Sequence, residues 1–284
     1  MKFFYYLVLI PLSKLPEGVR RLHSSFISFL LFRIFSYRKK MIERNLAICF
    51  PDKDEQWIGK TIKGFYKNLG EVISESIQSF SISASHAQKR IHAVNPEVLD
   101  DLFDSGRSVI LTGGHYVNWE AITLMGNRMK HDVYALYKPL KNKFIDEKVQ
   151  RSREKFGTRM ISIRDYRRHF DELETKPKLF IFGIDQSPRK GKGIWMEFLN
   201  RETSVFTGPE RLAKEFDMAV VLGRMSRLSS GRYILEYKLL TNDPRSTPPD
   251  QITLETNKDL EAQIKEDPTG WLWSHNRWKH KRDD

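Results

Sequence analysis

Residues 108–120 read Ser-Val-Ile-Leu-Thr-Gly-Gly-His-Tyr-Val-Asn-Trp-Glu, "SVILTGGHYVNWE". The apolar, β-branched beginning fits a buried strand, and the pair Gly113–Gly114 allows a tight turn directly after it. The continuation "YVNWEAITLMGNRM" predicts a helix over residues 119 to 129, with Asn118 as its N-cap and Glu120 in its first turn. Strand, glycine turn and helix in succession form the repeating unit of a parallel sheet. His115 falls in the turn itself, open to a ligand from above. Two residues five apart do not share a helical face, so contact between His115 and Glu120 needs the histidine in the turn and the carboxylate on the helix. Here both conditions hold. Glu120 can then fix the imidazole tautomer while the other ring nitrogen takes a proton from a hydroxyl. Spacing alone leaves a plainer alternative open, in which Glu120 only complements the helix dipole and His115 is a turn residue.

Working outward, the same alternation continues. Strand-like runs occupy residues 108–113, 132–137, 159–163, 178–185, 218–225 and 232–240, and helical patterns fill 119–129, 142–156, 165–174 and 208–216. Upstream, Trp57, Ile58, Ile62, Phe65, Tyr66, Leu69, Val72, Ile73 and Ile77 recur at helical spacing over residues 54 to 80. The expected fold is α/β, a mostly parallel central sheet flanked by helices, with ligands at the carboxyl ends of the strands. "LTGGH" and "GIDQSP" both stand at such ends.

The chain has 284 residues, enough for one large domain, and 48 Lys+Arg against 36 Asp+Glu leave a formal charge of +12. That excess favours polyanionic partners: an anionic membrane surface, a phosphorylated ligand, an acidic protein or nucleic acid. Cys49 is the single cysteine, which excludes an internal disulfide; its apolar setting fits a packed thiol. At the N-terminus, "MKFFYYLVLIPL" is too short to span a bilayer, and Pro11 and Pro16 are expected to break it. A second apolar run, 26–35, ends in Tyr37-Arg-Lys-Lys40. Two short helices rich in Phe and Tyr among arginines and lysines fit a hairpin lying in a membrane interface, the alternative being a pair of buried helices. The expected division is a membrane-associated helical segment over 1–36 and a catalytic domain over 37–284.

"GGHYVNWE" resembles the H-x4-E signature of the lipid A biosynthesis (late) acyltransferase family, within the lysophospholipid acyltransferase group. The resemblance runs along most of the chain. It takes in "YRKKMIERNLAICFPDK", then "LYKPLKNKFIDEKVQRSREKFGT" with Tyr137, Pro139, Asn142, Asp146 and Arg153. It continues through "GIDQSPRKGKGIWMEFLNRETSVFTGPERLAKEFDMAVV" with Asp185 and Gln186. "WLWSHNRWKHK" is similar to the family's closing pattern, with Asn276 where arginine is usual. The resemblance implies a glycerolipid acyltransferase-like fold and transfer of an acyl chain from an acyl carrier protein thioester to a hydroxyl of a lipid A precursor. It implies one step without a covalent enzyme intermediate, at the cytoplasmic face of a bacterial inner membrane. His115 would be the base and Glu120 its orienter. Arg153, Asp185, Asn118 and Glu210 are the substrate-binding candidates.

Each of these has a plainer role as well. Arg153 can be a solvated arginine of a basic helix, or meet a phosphate or oxyanion. Asp185 can hold Arg153 or a backbone turn, and Glu210, after Pro209, can complement a helix dipole. "SPRKGKG" lacks a P-loop pattern and supports no nucleotide site. No metal and no cofactor are expected beyond acyl carrier protein as the carrier of the co-substrate. With that acidic protein and an anionic lipid acceptor as partners, the charge needs no nucleic acid. Two rival readings remain at this stage: an acyltransferase acting on another membrane lipid, and a non-enzymatic, basic, membrane-bound binding module. The tail, with Trp271, Trp273 and Trp278 among basic residues, can stack on nucleic acid, edge a membrane or pack on the core.

Overall fold

The computed structural model describes residues 1–170 and 176–282. Among these residues nine strands form: β1 (Ile91–Ala93), β2 (Val109–Gly113), β3 (Asp132–Tyr137), β4 (Thr158–Ser162), β5 (Lys178–Gly183), β6 (Gly193–Glu197), β7 (Glu202–Phe206), β8 (Ala219–Ser229) and β9 (Arg232–Thr241). Seven of them make one sheet in the order β1-β9-β8-β2-β5-β3-β4, parallel at every junction except the antiparallel β8–β9 hairpin. The α/β expectation therefore holds, with one antiparallel step. β2 lies at the centre, with Val109, Ile110 and Leu111 buried on alternating faces: Leu111 joins the larger core cluster and Ile110 the smaller.

Three strands were not expected. β1 is only three residues long, too short for a periodicity to register. β6 and β7 form a separate antiparallel hairpin, closed by Leu199 and Asn200, both at positive φ. Two central residues of that kind make the turn that matches strand twist. Its sequence signal is weak because leucine, instead of asparagine or glycine, takes the first position.

The helix Glu55–Gln78 is capped by Asp54, whose carboxylate accepts from Trp57 N at 2.7 Å. The helix Lys143–Glu154 is capped by Asn142 in the same manner, at 3.1 Å from Ile145 N. Residues 119–129 wind as a 3₁₀ helix, Trp119–Arg128, instead of an α-helix. Of the expected helix over 165–174, the structure has a 3₁₀ turn at Tyr166–His169, and its end, 171–174, lies outside the described residues.

At the N-terminus the helix does not break at Pro11. A π-helical turn at Tyr5–Leu9 precedes it, and helical structure continues through Ile10–Ser13, where proline's missing N–H falls in a first turn. Pro16 then begins the helix Glu17–Phe29, which lies against Glu55–Gln78. At that crossing a Cβ on Gly70 would stand 2.5 Å from the Ser24 carbonyl oxygen, so glycine is what lets the two backbones approach. A buried Arg20–Glu75 ion pair, 3.4 Å, joins the same helices. Among the described residues no helix is long and apolar enough to cross a membrane. Phe3, Leu22, Phe26, Phe29 and Phe35 nevertheless remain exposed on these N-terminal helices.

Candidate active site

The geometry of the site follows from strand register. β2 and β5 pair in parallel with Gly113 opposite Gly183, and Ile184 N donates to the Gly113 carbonyl at 3.0 Å. His115 and Asp185 each come two residues beyond that last pair, and so meet above the sheet. His115 Nδ1 lies 2.6 Å from Asp185 Oδ1, and His115 N donates to Oδ2 at 2.8 Å. Trp271 Nε1 donates to the same Oδ2, also at 2.8 Å. Burial alone would raise the Asp185 pKa, but the His115 ring and these donors outweigh it and hold the carboxyl well below its usual range. Burial likewise depresses His115, yet the Asp185 charge and hydrogen bond, with a smaller contribution from Glu120, leave its pKa raised. With Asp185 ionised, Nδ1 must carry the proton, and Nε2, beside the Gln186 amide, is the basic nitrogen.

In the structure the Glu120 carboxylate takes a bidentate contact from Arg153, Nε to Oε2 at 2.8 Å and Nη2 to Oε1 at 2.7 Å, while Asp185 holds the His115 ring. The two carboxylates have exchanged expected partners, since Asp185 was the candidate holder of Arg153. The physical reason is that the β2–β5 register places Asp185 at bonding distance from the histidine.

Asn118 stands at the N-cap position without a capping side-chain bond. Its Nδ2 donates instead to Glu75 Oε2 at 2.6 Å, tying the turn to the helix Glu55–Gln78. Val117 before it takes φ 40°, a strained value for a β-branched residue, held by Val117 N donating to the Gly270 carbonyl at 2.8 Å. Asn118 therefore braces the turn from a buried position. Glu210 lies in the first turn of the helix Gly208–Phe216. It is buried and accepts from Thr253 N at 2.8 Å and Thr253 Oγ1 at 2.7 Å, with Lys214 at 2.9 Å, so it anchors the helix Gln251–Glu266. Its neighbours Gly208 and Pro209, and not Glu210, line the cavity below.

His115, Glu120 and Arg153 border one mostly apolar cavity of about 700 Å³, which Trp119, Leu136, Ile163 and Phe182 also line. That volume falls within the range, roughly 300–1,000 Å³, that encloses small ligands. Behind Glu120 a polar space of about 20 Å³ is lined by Glu75, Arg90, Asn118 and Arg153. At the His115 end of the cavity, Gln186 Nε2 stands 3.4 Å from His115 Nε2, and Arg277 fixes the Gln186 carbonyl by a bond of 3.1 Å. Gly183 makes room for the histidine: a Cβ there would come within 2.8 Å of His115 Cε1.

Sequence reading missed Trp271 and Arg277 as parts of this site. Their only signal was the aromatic and basic tail, whose three readings are separated by burial. Trp271 and Trp273 are buried, and Trp278 packs partly buried with Nε1 donating to Thr203 Oγ1 at 2.7 Å, so the tryptophans pack on the core. The exposed Arg189, Lys190 and Lys192 lie in the turn leading to β6, and among the described residues no cluster of His, Cys, Asp and Glu suits a metal ion.

The chain is similar along most of its length to curated acyltransferases. It is 22% identical over 258 residues to a lipid A biosynthesis lauroyltransferase of Escherichia coli (strain K12), covering 88% of this chain and 82% of that protein. With the lipid A biosynthesis palmitoleoyltransferase of the same organism it shares 23% over 249 residues, 85% and 79% of the two chains. With a lipid A biosynthesis acyltransferase of Haemophilus influenzae it shares 22% over 233 residues, 81% and 72%. The pattern described as bacterial lipid A biosynthesis acyltransferase matches residues 1–280, nearly the entire chain, and the protein accordingly belongs to that acyltransferase family.

Proposed function

We propose that this acyltransferase moves a fatty acyl chain from an acyl carrier protein thioester to a hydroxyl of a lipid A precursor, with His115 as general base. The observation that carries the reading is the His115 ring, held through Nδ1 by Asp185 and turned with Nε2 toward an apolar cavity of about 700 Å³. The acyl chain occupies the cavity. Nε2 takes the proton of the acceptor hydroxyl, whose oxygen attacks the thioester carbon. The oxyanion collapses as the carbon–sulfur bond breaks, and the departing thiolate takes the proton from the imidazolium. Asp185 keeps Nδ1–H in place and stabilises the imidazolium throughout, as the carboxylate of a hydrolase triad does. The Gln186 amide, beside Nε2, is a donor for the developing oxyanion. The Glu120–Arg153 pair shapes the rim where a phosphorylated acceptor enters, the arginine offering its remaining donors to phosphate. No protein nucleophile, metal or further cofactor takes part.

Residues 1–36 are the membrane-associated part and 37–284 the catalytic domain, at the cytoplasmic face of the inner membrane. Exposed Phe3, Phe26, Phe29 and Phe35 alternate with Lys2, Arg21, Arg33 and Arg38, a composition that suits an interface. The deciding experiment transfers a radiolabelled acyl group from carrier protein to lipid A precursor with the purified chain. His115→Ala should lower the rate by about 10²–10⁴-fold while cosedimentation with membranes persists; undiminished transfer would overturn the mechanism. Lysophospholipid and aminolipid acceptors, run in parallel, identify the acceptor.

A further inference from the structure

Parallel pairing of β3 with β4 sets Tyr137 opposite Ser162, so the segments that follow, 138–141 and 163–164, emerge side by side at the carboxyl edge of the sheet. Ile163 N donates to the Tyr137 carbonyl at 3.0 Å and holds them together. Leu140 and Ile163 both line the large cavity, yet they are 46% and 47% exposed. They are apolar tips on its rim, facing the cavity and the solvent at once. Around them stand Lys138, Lys141, Lys143 and Arg164, none of which takes an ion pair among the described residues. Asp146 is engaged in the backbone turn, accepting from Leu140 N at 2.8 Å, and Glu147 pairs with Arg151 at 2.6 Å, so the uncompensated carboxylates on this edge are Asp146 and Asp165, against four unpaired cations.

The rim is continuous with the apolar N-terminus. Phe144, at the start of the helix Lys143–Glu154, packs its ring on Tyr5 and Tyr6 at centroid distances of 5.6 and 6.2 Å. An apolar tip set in unpaired cations is the composition that enters the headgroup region of an anionic bilayer.

We propose that the rim formed by residues 138–141 and 163–164 is a second membrane contact, docking the cavity mouth on an anionic bilayer so that lipid passes into the cavity without crossing water. The proposal rests on the reading of the protein as membrane-associated. Leu140 and Ile163 enter the boundary between headgroups and acyl chains, while the lysines and Arg164 meet the anionic headgroups. Of the two acidic partners considered, the bilayer is favoured over a carrier protein because the rim adjoins the exposed aromatic N-terminus.

The test uses the full chain with Leu140→Cys carrying an environment-sensitive fluorophore. Labelling is selective because the one native thiol, Cys49, is buried and its pKa is pushed up to about 12 by burial. With phosphatidylglycerol-containing vesicles the emission should move to the blue, and with pure phosphatidylcholine vesicles much less. Neutralising the rim as Lys138→Gln, Lys141→Gln and Lys143→Gln should raise the phosphatidylglycerol content needed for half the shift several-fold. Cosedimentation with a fluorophore that stays in water overturns the rim proposal and leaves the N-terminal reading standing. Failure to cosediment at all overturns both. A shift given by acyl carrier protein in place of vesicles overturns it too, since the rim would then be a protein-docking surface.

Discussion

Asp185 and His115 stand the same distance beyond a shared register pair, and the carboxylate answers both the backbone N–H and Nδ1 of the histidine, at 2.8 and 2.6 Å. One side chain thereby fixes the position of the turn and the tautomer of the histidine.

Asp185→Asn should consequently lower the rate of acyl transfer on the order of 10³–10⁴-fold, because an amide can present a donor to Nδ1 and favour the wrong tautomer. In the native protein the rate should fall as acid protonates His115, around a midpoint above the 6.5 of free histidine, since its pKa is raised. The pair also links stability to pH. The histidine's contribution is complete below 6.5 and is lost as pH rises through its raised pKa. That of Asp185 is complete above 3.8 and is lost as pH falls through its depressed one. A pH–rate profile and urea melts at several pH values check both.

Trp271→Phe keeps an aromatic ring in the cluster with Phe198, Trp273 and Trp278 but removes the N–H from Asp185 Oδ2. A carboxylate short of one donor bears more heavily on the imidazolium, so the acid limb of the rate profile should move to higher pH. Trp273→Phe is the control. It loses a bond to the Pro268 carbonyl in the same cluster and should leave that limb in place. Equal profiles for the two variants would reduce Trp271 to a packing residue.

Gly183→Ala puts a methyl group 2.8 Å from His115 Cε1, and the ring must yield. A displacement near 1 Å at a general base costs on the order of a hundredfold in rate. Affinity for a long-chain acyl ligand, measured by calorimetry, should stay close to that of the parent; a parallel loss of affinity would point to a collapsed cavity instead.

Glu210→Gln tests the reassignment of that residue from substrate to scaffold. Its loss should cost about 1–3 kcal/mol of stability at neutral pH with kcat of the folded protein unchanged. Burial opposes the Glu210 charge, but bonds from Lys214 and Thr253 prevail and keep its pKa below 4.5. The stabilisation is thus present above 4.5 and fades as pH falls, and the gap between variant and parent in denaturant should close in acid. A fall in kcat without a fall in stability would return Glu210 to the site.

Much of this was readable in one dimension. Apolar runs of strand length marked the six longer strands of the main sheet; central β2 is apolar because a parallel strand buried on both faces must be, whereas β9 alternates buried and exposed residues. Asp54 and Asn142 stood where capping residues stand. β1, β6 and β7 escaped because three residues carry no period and because leucine hid a turn that asparagine or glycine would have announced. His115 and Glu120 drew notice through their spacing, but spacing reports only what lies nearby along one chain segment.

The α/β alternation, the glycine turn that presents His115 and the family of the ordered blocks are written along the chain, since propensity, turn chemistry and local spacing are properties of neighbouring residues. Only the tertiary structure decided which carboxylate serves the histidine. Asp185 reaches His115 across 70 positions through parallel register, Trp271 reaches Asp185 across 86 through a folded-back tail, and Glu120 goes to Arg153. Hydrogen bonds are formed by distance in space, and register, which sets that distance here, is fixed only when β2 and β5 lie side by side.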